Sequence, residues 1–225
     1  KTRQIIGYEV DLGTEIAKAI GVKPVFKQIS VAARIPELQQ GHVDLLAASL
    51  THNKEREALV DFSYSIIVTG QKALVKKNAG FASLHDLDGK KVLTVKGGTQ
   101  EPNIRKALPN AQVVTFETSQ QALLALQQGK GQAFVDDESA LVNDFGKLGA
   151  AAGGYAILPE NLSTEALAIA FRKGNPQLKQ LVDSTLAGLE RSGVAEQLYL
   201  KWYGPGTKSN LSERHFKIDS DRIPE

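Results

Sequence analysis

Hydrophobic and polar positions follow two periods along this chain, because short apolar runs alternate with amphipathic segments almost throughout. Val43–Leu50 is an apolar run that contains a single acid, and the polar stretch His52–Glu57 follows it closely. An apolar run of this length indicates a buried strand, and the polar stretch indicates a helix. Thr51 or Asn53 is a suitable N-cap for that helix.

The rest of the chain repeats this plan. The predicted strands are Ile5–Tyr8, Val25–Ser30, Lys91–Lys96, Val113–Phe116 and Gln132–Val135. The predicted helices are Val10–Ile20, Ile35–Gln40, Glu101–Leu108, Ser119–Gln128, Glu138–Leu148, Pro176–Ser192 and Val194–Tyr203. The tail from Thr207 is polar and predicts no element. Alternation of strands and helices predicts an α/β fold with mostly parallel sheets flanked by helices.

Two long β runs, Ile66–Lys77 and Leu167–Arg172, bracket a compact block that has its own strand–helix units. We interpret these runs as crossovers between two α/β lobes. Lobe 1 is expected at 1–70 plus 173–225 and lobe 2 at 74–168, with hinges near 70–76 and 166–173. A cleft between two such lobes is a common place for a small ligand.

Composition narrows the possible functions. The net charge of +2 without a basic block does not predict a nucleic-acid partner, and the lack of cysteine excludes disulfides and thiolate sites. No apolar run approaches the roughly 18 residues that a bilayer-spanning helix needs. Lys1 is not a start methionine and the chain contains no Met, so we expect a processed chain from which any signal peptide has been removed.

Polar side chains end the central strand. Ser49 and Thr51 lie at its predicted carboxyl edge, where open α/β sheets bind ligands, and Arg56 lies about one turn into the helix. Hydroxyls beside a fork-shaped guanidinium can receive a carboxylate. The alternative is an exposed Arg56 that pairs with Glu55 or Glu57.

Two further strand ends carry polar groups. Gly97–Gln100 turns a strand into a helix, a geometry that suits anions, but it lacks the spacing of a P-loop or of a dinucleotide-binding motif. Asp136, Asp137 and Glu138 end another strand, either as helix-capping acids or as partners for a ligand ammonium group. Donors for a carboxylate together with an acid for an ammonium group indicate an amino-acid ligand.

Catalytic and metal-binding signals are poor. The four histidines, His42, His52, His85 and His215, are scattered along the chain, and neither HExxH nor GxSxG is present. We therefore predict no catalytic residue, no metal site and no cofactor.

Seven segments resemble one family in its own order: GYEVDLGTEIAKAIG, RIPELQQGHVDLLAASLTHNKERE, VDFSYS, DLDGKKVLTVKGGTQ, ALLALQQGKGQAFVDDESAL, LAIAFRKGNPQL and LYLKWYG. They span nearly the whole chain, which is similar to the family-3 extracytoplasmic solute-binding proteins of polar amino acid ABC transporters. The resemblance implies the two-lobed type II periplasmic-binding-protein fold. It also implies a non-enzymatic, periplasmic protein, expected to be a monomer, that delivers an amino acid to a membrane permease.

The resemblance assigns six ligand contacts: Ser49, Thr51, Arg56, Thr99, Gln100 and Asp137. In the family pattern the arginine binds the ligand carboxylate, Thr99 with Gln100 forms a second carboxylate turn, and an aspartate binds the ammonium group. Counting from Gly129 places that aspartate at Asp137 rather than Asp136.

Within the family, RIPELQQG, EALAIAFRK and the extended tail look most similar to the glutamate/aspartate-binding type, which makes those amino acids the first expectation. Two departures from the family pattern affect how the ligand side chain is recognised. The family's first strand and loop do not precede Ile5, and Ile67 stands where the family often has a tyrosine.

Two alternatives remain open at the level of the sequence. An enzyme on the same fold, of the cyclohexadienyl or prephenate dehydratase type, would need Glu138 or Glu165 as its proton carrier. A sensor domain of a larger receptor would share the fold and the binding residues.

Overall fold

The computed structural model describes residues 4–209, 211 and 213–222. The α-helices are α1 Tyr8–Ile20, α2 Arg34–Gln39, α3 Lys54–Glu57, α4 Gln100–Ala107, α5 Ser119–Gln127, α6 Glu138–Lys147, α7 Pro176–Arg191 and α8 Val194–Tyr203. The strands are β1 Leu45–Thr51, β2 Asp61–Lys76, β3 Lys91–Val95, β4 Gln112–Phe116, β5 Ala133–Asp137, β6 Tyr155–Ile157 and β7 Ser163–Phe171. The predicted α/β class is confirmed.

The described residues fall into two compact units. Unit 1 takes its residues from 1–29, 33–68 and 166–225, and unit 2 from 30–32 and 69–165. Strands β2 and β7 are the long β runs of the sequence, and each contributes residues to both units.

Unit 1 buries two apolar clusters. One packs α1, α7 and α8 around side chains such as Leu12, Ile16 and Leu186, and the other packs α2 and β1 around Leu38 and Leu46. Helix α1 ends where Gly21 adopts φ 81°, a left-handed conformation that glycine tolerates at a helix C-terminus.

Unit 2 has an apolar cluster on each face of its strands. Phe134 and Leu126 belong to one cluster, and Val135 and Ile104 belong to the other. Neighbouring residues of β5 thus point to opposite faces, as the pleat of a strand requires, and both faces are buried. This explains why the sequence of β5 reads as a continuous apolar run.

Strand direction is mixed rather than mostly parallel. β3 pairs in parallel with β4 and β5, as alternating strands and helices predict. The crossover strands differ, because β2 pairs antiparallel with β5 and β6, and β7 pairs antiparallel with β1.

Two predicted strands are wrong. Ile5–Tyr8 forms no strand, because Tyr8 already begins α1 and its ring packs edge-on against Tyr199. Val25–Ser30 also forms no strand, and Val25 is 92% exposed. Apolar residues suit a strand only where a neighbouring strand pairs with them. Among the described residues, β1 is an edge strand that pairs with β7 alone.

The C-terminal segment, predicted to lack pattern, packs on unit 1. Phe216 and Ile218 are buried, and Arg214 places its guanidinium between the carboxylates of Glu190 and Glu196. No helix among residues 4–209, 211 and 213–222 is long and apolar enough to cross a membrane.

Candidate functional site

In unit 1, the end of β1 contains a residue in an unusual backbone conformation. Ser49 has φ 49°, which is left-handed and rare for a residue other than glycine, and the β1–β7 register shifts between Leu46 and Leu50. The carboxylate of Glu9 in α1 accepts the Ser49 N–H at 2.7 and 2.9 Å and the Ser49 hydroxyl at 2.8 Å. The predicted ligand hydroxyl of Ser49 is therefore engaged by the protein's own carboxylate.

Arg34 holds the same turn by donating to the backbone carbonyl groups of the turn. This buried guanidinium donates to the Ala48 oxygen at 2.8 Å and to the Ser49 oxygen at 2.7 Å. Side chains from α1 and α2 thus bond to backbone groups at the end of an edge strand. Burial raises the pKa of the Glu9 carboxyl above its ordinary value, against the opposing effect of the Ser49 hydrogen bonds and of the Arg34 charge.

Thr51 and Arg56 lie together, as predicted. Arg56 Nη1 donates to the Thr51 carbonyl oxygen at 3.0 Å, and Asn53 caps α3 by accepting the Arg56 N–H at 2.9 Å. Arg56 is only 9% exposed, so the alternative of a solvated surface arginine is wrong. A buried guanidinium beside a strand end is suited to bind a carboxylate through paired hydrogen bonds.

His52, between these two residues, lies in the apolar interior rather than in a solvated turn. It is 3% exposed, stacks on Phe62 with ring centroids 4.3 Å apart, and its Nε2 lies 2.7 Å from Glu57 Oε1. The sequence pattern did not indicate this contact, because the hydrophobic partner lies in the following strand.

In unit 2, the turn Gly97–Gln100 requires glycine at position 97. Gly97 has φ 85°, and a side chain there would meet the Ala32 Cα at 2.7 Å. A Cβ at Gly98 would lie 1.9 Å from Gln100 Oε1. The two glycines allow the turn to pack closely on its neighbours and allow Gln100 to fold back beneath it.

Thr99 takes part in a buried hydrogen-bond network. Its hydroxyl donates to Glu165 Oε2 at 2.9 Å and accepts from Gln71 Nε2 at 2.8 Å. Glu165 is 2% exposed and also accepts from the Asn103 amide at 2.9 Å and the Ser163 hydroxyl at 2.7 Å. The side chain of Thr99 is thus bonded to a carboxylate of the protein.

Asp136 and Asp137 end β5 and are both buried beside Gln100. Gln100 Nε2 donates to Asp136 Oδ1 at 2.9 Å and lies 3.4 Å from Asp137 Oδ1. Asp136 Oδ1 also accepts the Asp137 N–H at 2.9 Å. Asp137 is the N-cap residue of α6 but makes no side-chain cap hydrogen bond, so its carboxylate does not have the capping role that the sequence left open.

The two residues considered as proton carriers are both engaged in contacts. Glu138 pairs with Lys72 at 2.7 Å, and Glu165 accepts from three neutral donors. Among the described residues, no group of three His, Cys, Asp or Glu side chains could hold a metal ion.

The six predicted contacts therefore form two groups. Unit 1 supplies Ser49, Thr51 and Arg56, and unit 2 supplies Thr99, Gln100 and Asp137. Sequence reasoning missed Glu9 and Arg34 and considered Glu165 only as a proton carrier, whereas all three hold members of these groups in place. All three lie far along the chain from the residues that they hold, so no local pattern indicated them.

Comparisons with known proteins agree with this architecture. Residues 1–205 match the model of the bacterial extracellular solute-binding proteins, family 3. The ABC transporter glutamine-binding protein GlnH of Bacillus subtilis (strain 168) is 35% identical over 205 residues, which are 88% of this chain and 73% of that protein. The glutamate/aspartate import solute-binding protein of Salmonella typhimurium is 29% identical over 222 residues, covering 93% of this chain and 73% of that protein.

A solved structure shows the same fold. An ancestral arginine-binding protein bound to arginine superposes with a TM-score of 0.83 and 34% identity, covering 89% of each chain. The family match and this likeness agree, and the chain belongs to the bacterial extracellular solute-binding proteins, family 3, which serve amino acid ABC transporters.

Proposed function

We propose that this protein binds a polar L-amino acid and delivers it to the membrane permease of an ABC importer. The observation that carries this proposal is the buried Arg56 held against the Thr51 carbonyl, because it presents a carboxylate-binding group at a strand end of a family-3 solute-binding protein. The unit 2 residues supply the complementary chemistry, since two buried aspartates end β5.

The ligand carboxylate is assigned to Arg56 with Thr51. A guanidinium offers two parallel N–H donors to a carboxylate, and each charge-assisted hydrogen bond contributes about 1.5–3 kcal/mol. Several such bonds suffice for micromolar binding, which corresponds to about −8 kcal/mol. Ser49 contributes through the shape of its turn, because its N–H and hydroxyl already donate to Glu9.

The ligand ammonium group is assigned to Asp137. Asp137 is buried at this strand end, where Gln100 Nε2 lies 3.4 Å from its Oδ1. Asp136 Oδ1 accepts hydrogen bonds of 2.9 Å from Gln100 and from the Asp137 N–H, so it helps to orient both neighbours. These contacts are compatible with the choice of Asp137, which rests on the count from Gly129.

Glutamate or aspartate is the first expectation from the sequence, and the relatives widen the range. Their names include a glutamine-binding protein and a glutamate/aspartate import protein, and the ancestral structure holds arginine. A polar amino acid is the class that these names share. In this proposal the protein acts outside the cytoplasm, in keeping with the extracellular family that it matches, and it acts as a monomer without a cofactor.

We infer a binding role rather than a dehydratase activity. Glu138 is neutralised by Lys72, and Glu165 is enclosed by neutral donors, so neither is placed as a free acid or base. Incubation of the protein with prephenate, followed by ultraviolet absorbance, tests the enzyme directly. Turnover that disappears in Glu165→Gln would replace the binding role with catalysis.

The binding role itself is tested by isothermal titration of the ligand-free protein with glutamate, aspartate, glutamine and arginine. We expect saturable binding of at least one of them with one site per chain. Arg105→Ala is a matched control, since Arg105 is an exposed arginine of α4 that pairs with Glu101. Absence of binding to every polar amino acid would refute the proposed function.

A further inference from the structure

Gln100 is the first residue of α4, and the residue is 7% exposed. Its amide nitrogen is bonded to the aspartates at the end of β5. Its carbonyl oxygen Oε1 is buried and has no hydrogen-bond partner among the described residues. A buried acceptor without a partner is rare in folded proteins and calls for a physical reason.

The orientation of this amide is determined by its neighbours. Exchanging the oxygen and the nitrogen would place Oε1 2.9 Å from the Asp136 carboxylate, where two acceptors repel each other. The NH₂ group therefore faces Asp136, and Oε1 faces Gly98, where a Cβ would be only 1.9 Å away. Glycine at position 98 leaves room for this arrangement of the Gln100 side chain.

The other polar side chain of this turn, Thr99, makes hydrogen bonds within unit 2. The Thr99 hydroxyl donates to Glu165 and accepts from Gln71. Gln100 Oε1, in contrast, is a buried acceptor without a hydrogen-bond partner in the described part of the chain. An acceptor of this kind beside two carboxylates can be satisfied by a ligand that donates hydrogen bonds.

We propose that Gln100 is a specificity-determining residue whose Oε1 accepts a hydrogen bond from a nitrogen of the ligand. This inference rests on the proposed amino-acid binding and reverses the role that the sequence suggested, in which Gln100 helps to receive a carboxylate. A nitrogen that carries two or more hydrogens donates to Oε1 and to Asp137 together. The long contact of 3.4 Å between Gln100 Nε2 and Asp137 is the one that such a nitrogen displaces.

Two ligand groups have this chemistry: the α-ammonium group, and a side-chain amide or guanidinium. A ligand carboxylate does not, because it offers no hydrogen and would meet the carboxylates of Asp136 and Asp137. The part of the ligand that faces Gln100 is therefore a nitrogen donor, whichever amino acid is bound.

The test compares the wild-type protein with Gln100→Met, which keeps the length of the side chain and removes its acceptor. Four ligands are titrated up to millimolar concentration: glutamine, glutamate, and the counterparts of each without the α-amine, glutaramate and glutarate. Gln132→Met is the matched control, because Gln132 is an exposed glutamine of unit 2 that accepts only from the Lys91 N–H in the contacts described.

Loss of a hydrogen bond to an ammonium group predicts about 10- to 100-fold weaker binding. If the α-ammonium faces Gln100, glutamine and glutamate weaken and the two deaminated ligands do not. If the side-chain amide faces it, glutamine and glutaramate weaken and the other two do not.

Equal weakening of all four ligands in Gln100→Met, or no weakening of any, would overturn the role of Gln100 and leave amino-acid binding standing. Failure of the wild-type protein to bind glutamine and glutamate would overturn both. Circular dichroism and urea unfolding of Gln100→Met identify a variant that has not folded, and Gln100→Leu is then titrated against the same four ligands.

Discussion

Replacement of Arg56 by alanine is predicted to weaken ligand binding strongly and to lower the free energy of unfolding only modestly. The lost guanidinium takes with it two charge-assisted hydrogen bonds to the ligand carboxylate, worth about 3–6 kcal/mol in total. Since about 1.4 kcal/mol is a factor of ten, binding weakens more than about 100-fold. Removal of the donor to the Thr51 carbonyl, at 3.0 Å, also costs about 1–3 kcal/mol of folding free energy.

The variant is expected to remain folded. The N-cap contact from Asn53 to the Arg56 N–H involves the backbone and survives the substitution. A loss of about 1–3 kcal/mol lowers the melting temperature by about 2–12 °C in a chain of this size. Isothermal titration gives the affinity, and urea unfolding gives the stability of the same preparation.

Arg56→Lys refines the test, because lysine keeps the charge but lacks the planar fork. We expect its affinity to fall between those of the wild type and Arg56→Ala. Affinity of the folded Arg56→Ala variant equal to that of the wild type would refute the assignment of the carboxylate to Arg56.

Three further predictions concern acids and their partners. Asp137→Asn should weaken amino-acid binding at least about tenfold and more than Asp136→Asn does, and the reverse order in titrations would show that Asp136 binds the ammonium group. Arg214→Met should cost about 2–4 kcal/mol in urea unfolding, because this buried guanidinium pairs with Glu190, and a loss below about 0.5 kcal/mol would contradict that contribution. Although burial opposes it, the ion pair with Arg214 and a backbone N–H hold the pKa of Glu190 below its ordinary value. The unfolding free energy that Arg214→Met loses should therefore become smaller as the pH falls through that lowered pKa. Burial raises the pKa of Glu9, so ionising it costs stability as the pH rises from about 4.5 through the raised value, and Glu9→Gln should lack this decline in unfolding free energy.

The local pattern of hydrophobic and polar residues predicted correctly those helices and strands that bury one or both of their own faces. The central apolar run is β1, and the polar stretch after it is α3, capped by Asn53. Helix α7 and its terminating turn also follow the periodicity closely. Each of these elements is determined mainly by its own residues, so its position could be derived without knowledge of its neighbours.

The wrong predictions for secondary structure and packing share one cause, which is that these segments depend on residues far away in the sequence. Val25–Ser30 has the composition of a strand but no strand partner among the described residues. The tail reads as polar, yet Phe216 and Ile218 pack into the cluster of α1, α7 and α8. A pattern of single residues carries no information on contacts of this kind.

The candidate site shows the same division. The positions of Asp137 at the end of β5 and of Arg56 in the helix after β1 followed from the alternation of strands and helices and from the resemblance. That Glu9 engages Ser49 and that Gln100 leaves an acceptor unpaired depends on side chains 40 residues apart in one case and 36 in the other. These contacts decide which polar atoms remain for a ligand.

The most direct test of amino-acid binding is a thermal-shift titration of the refolded, ligand-free protein against the common amino acids. A ligand that binds only the folded state adds to the free energy of unfolding, and this stabilisation grows with the logarithm of the ligand concentration above the dissociation constant. At 100 times that constant the stabilisation is about 2.7 kcal/mol, and the melting temperature rises accordingly. We predict such a rise with one or a few polar L-amino acids and its loss in Arg56→Ala. An unchanged melting temperature with every amino acid would contradict the proposed function.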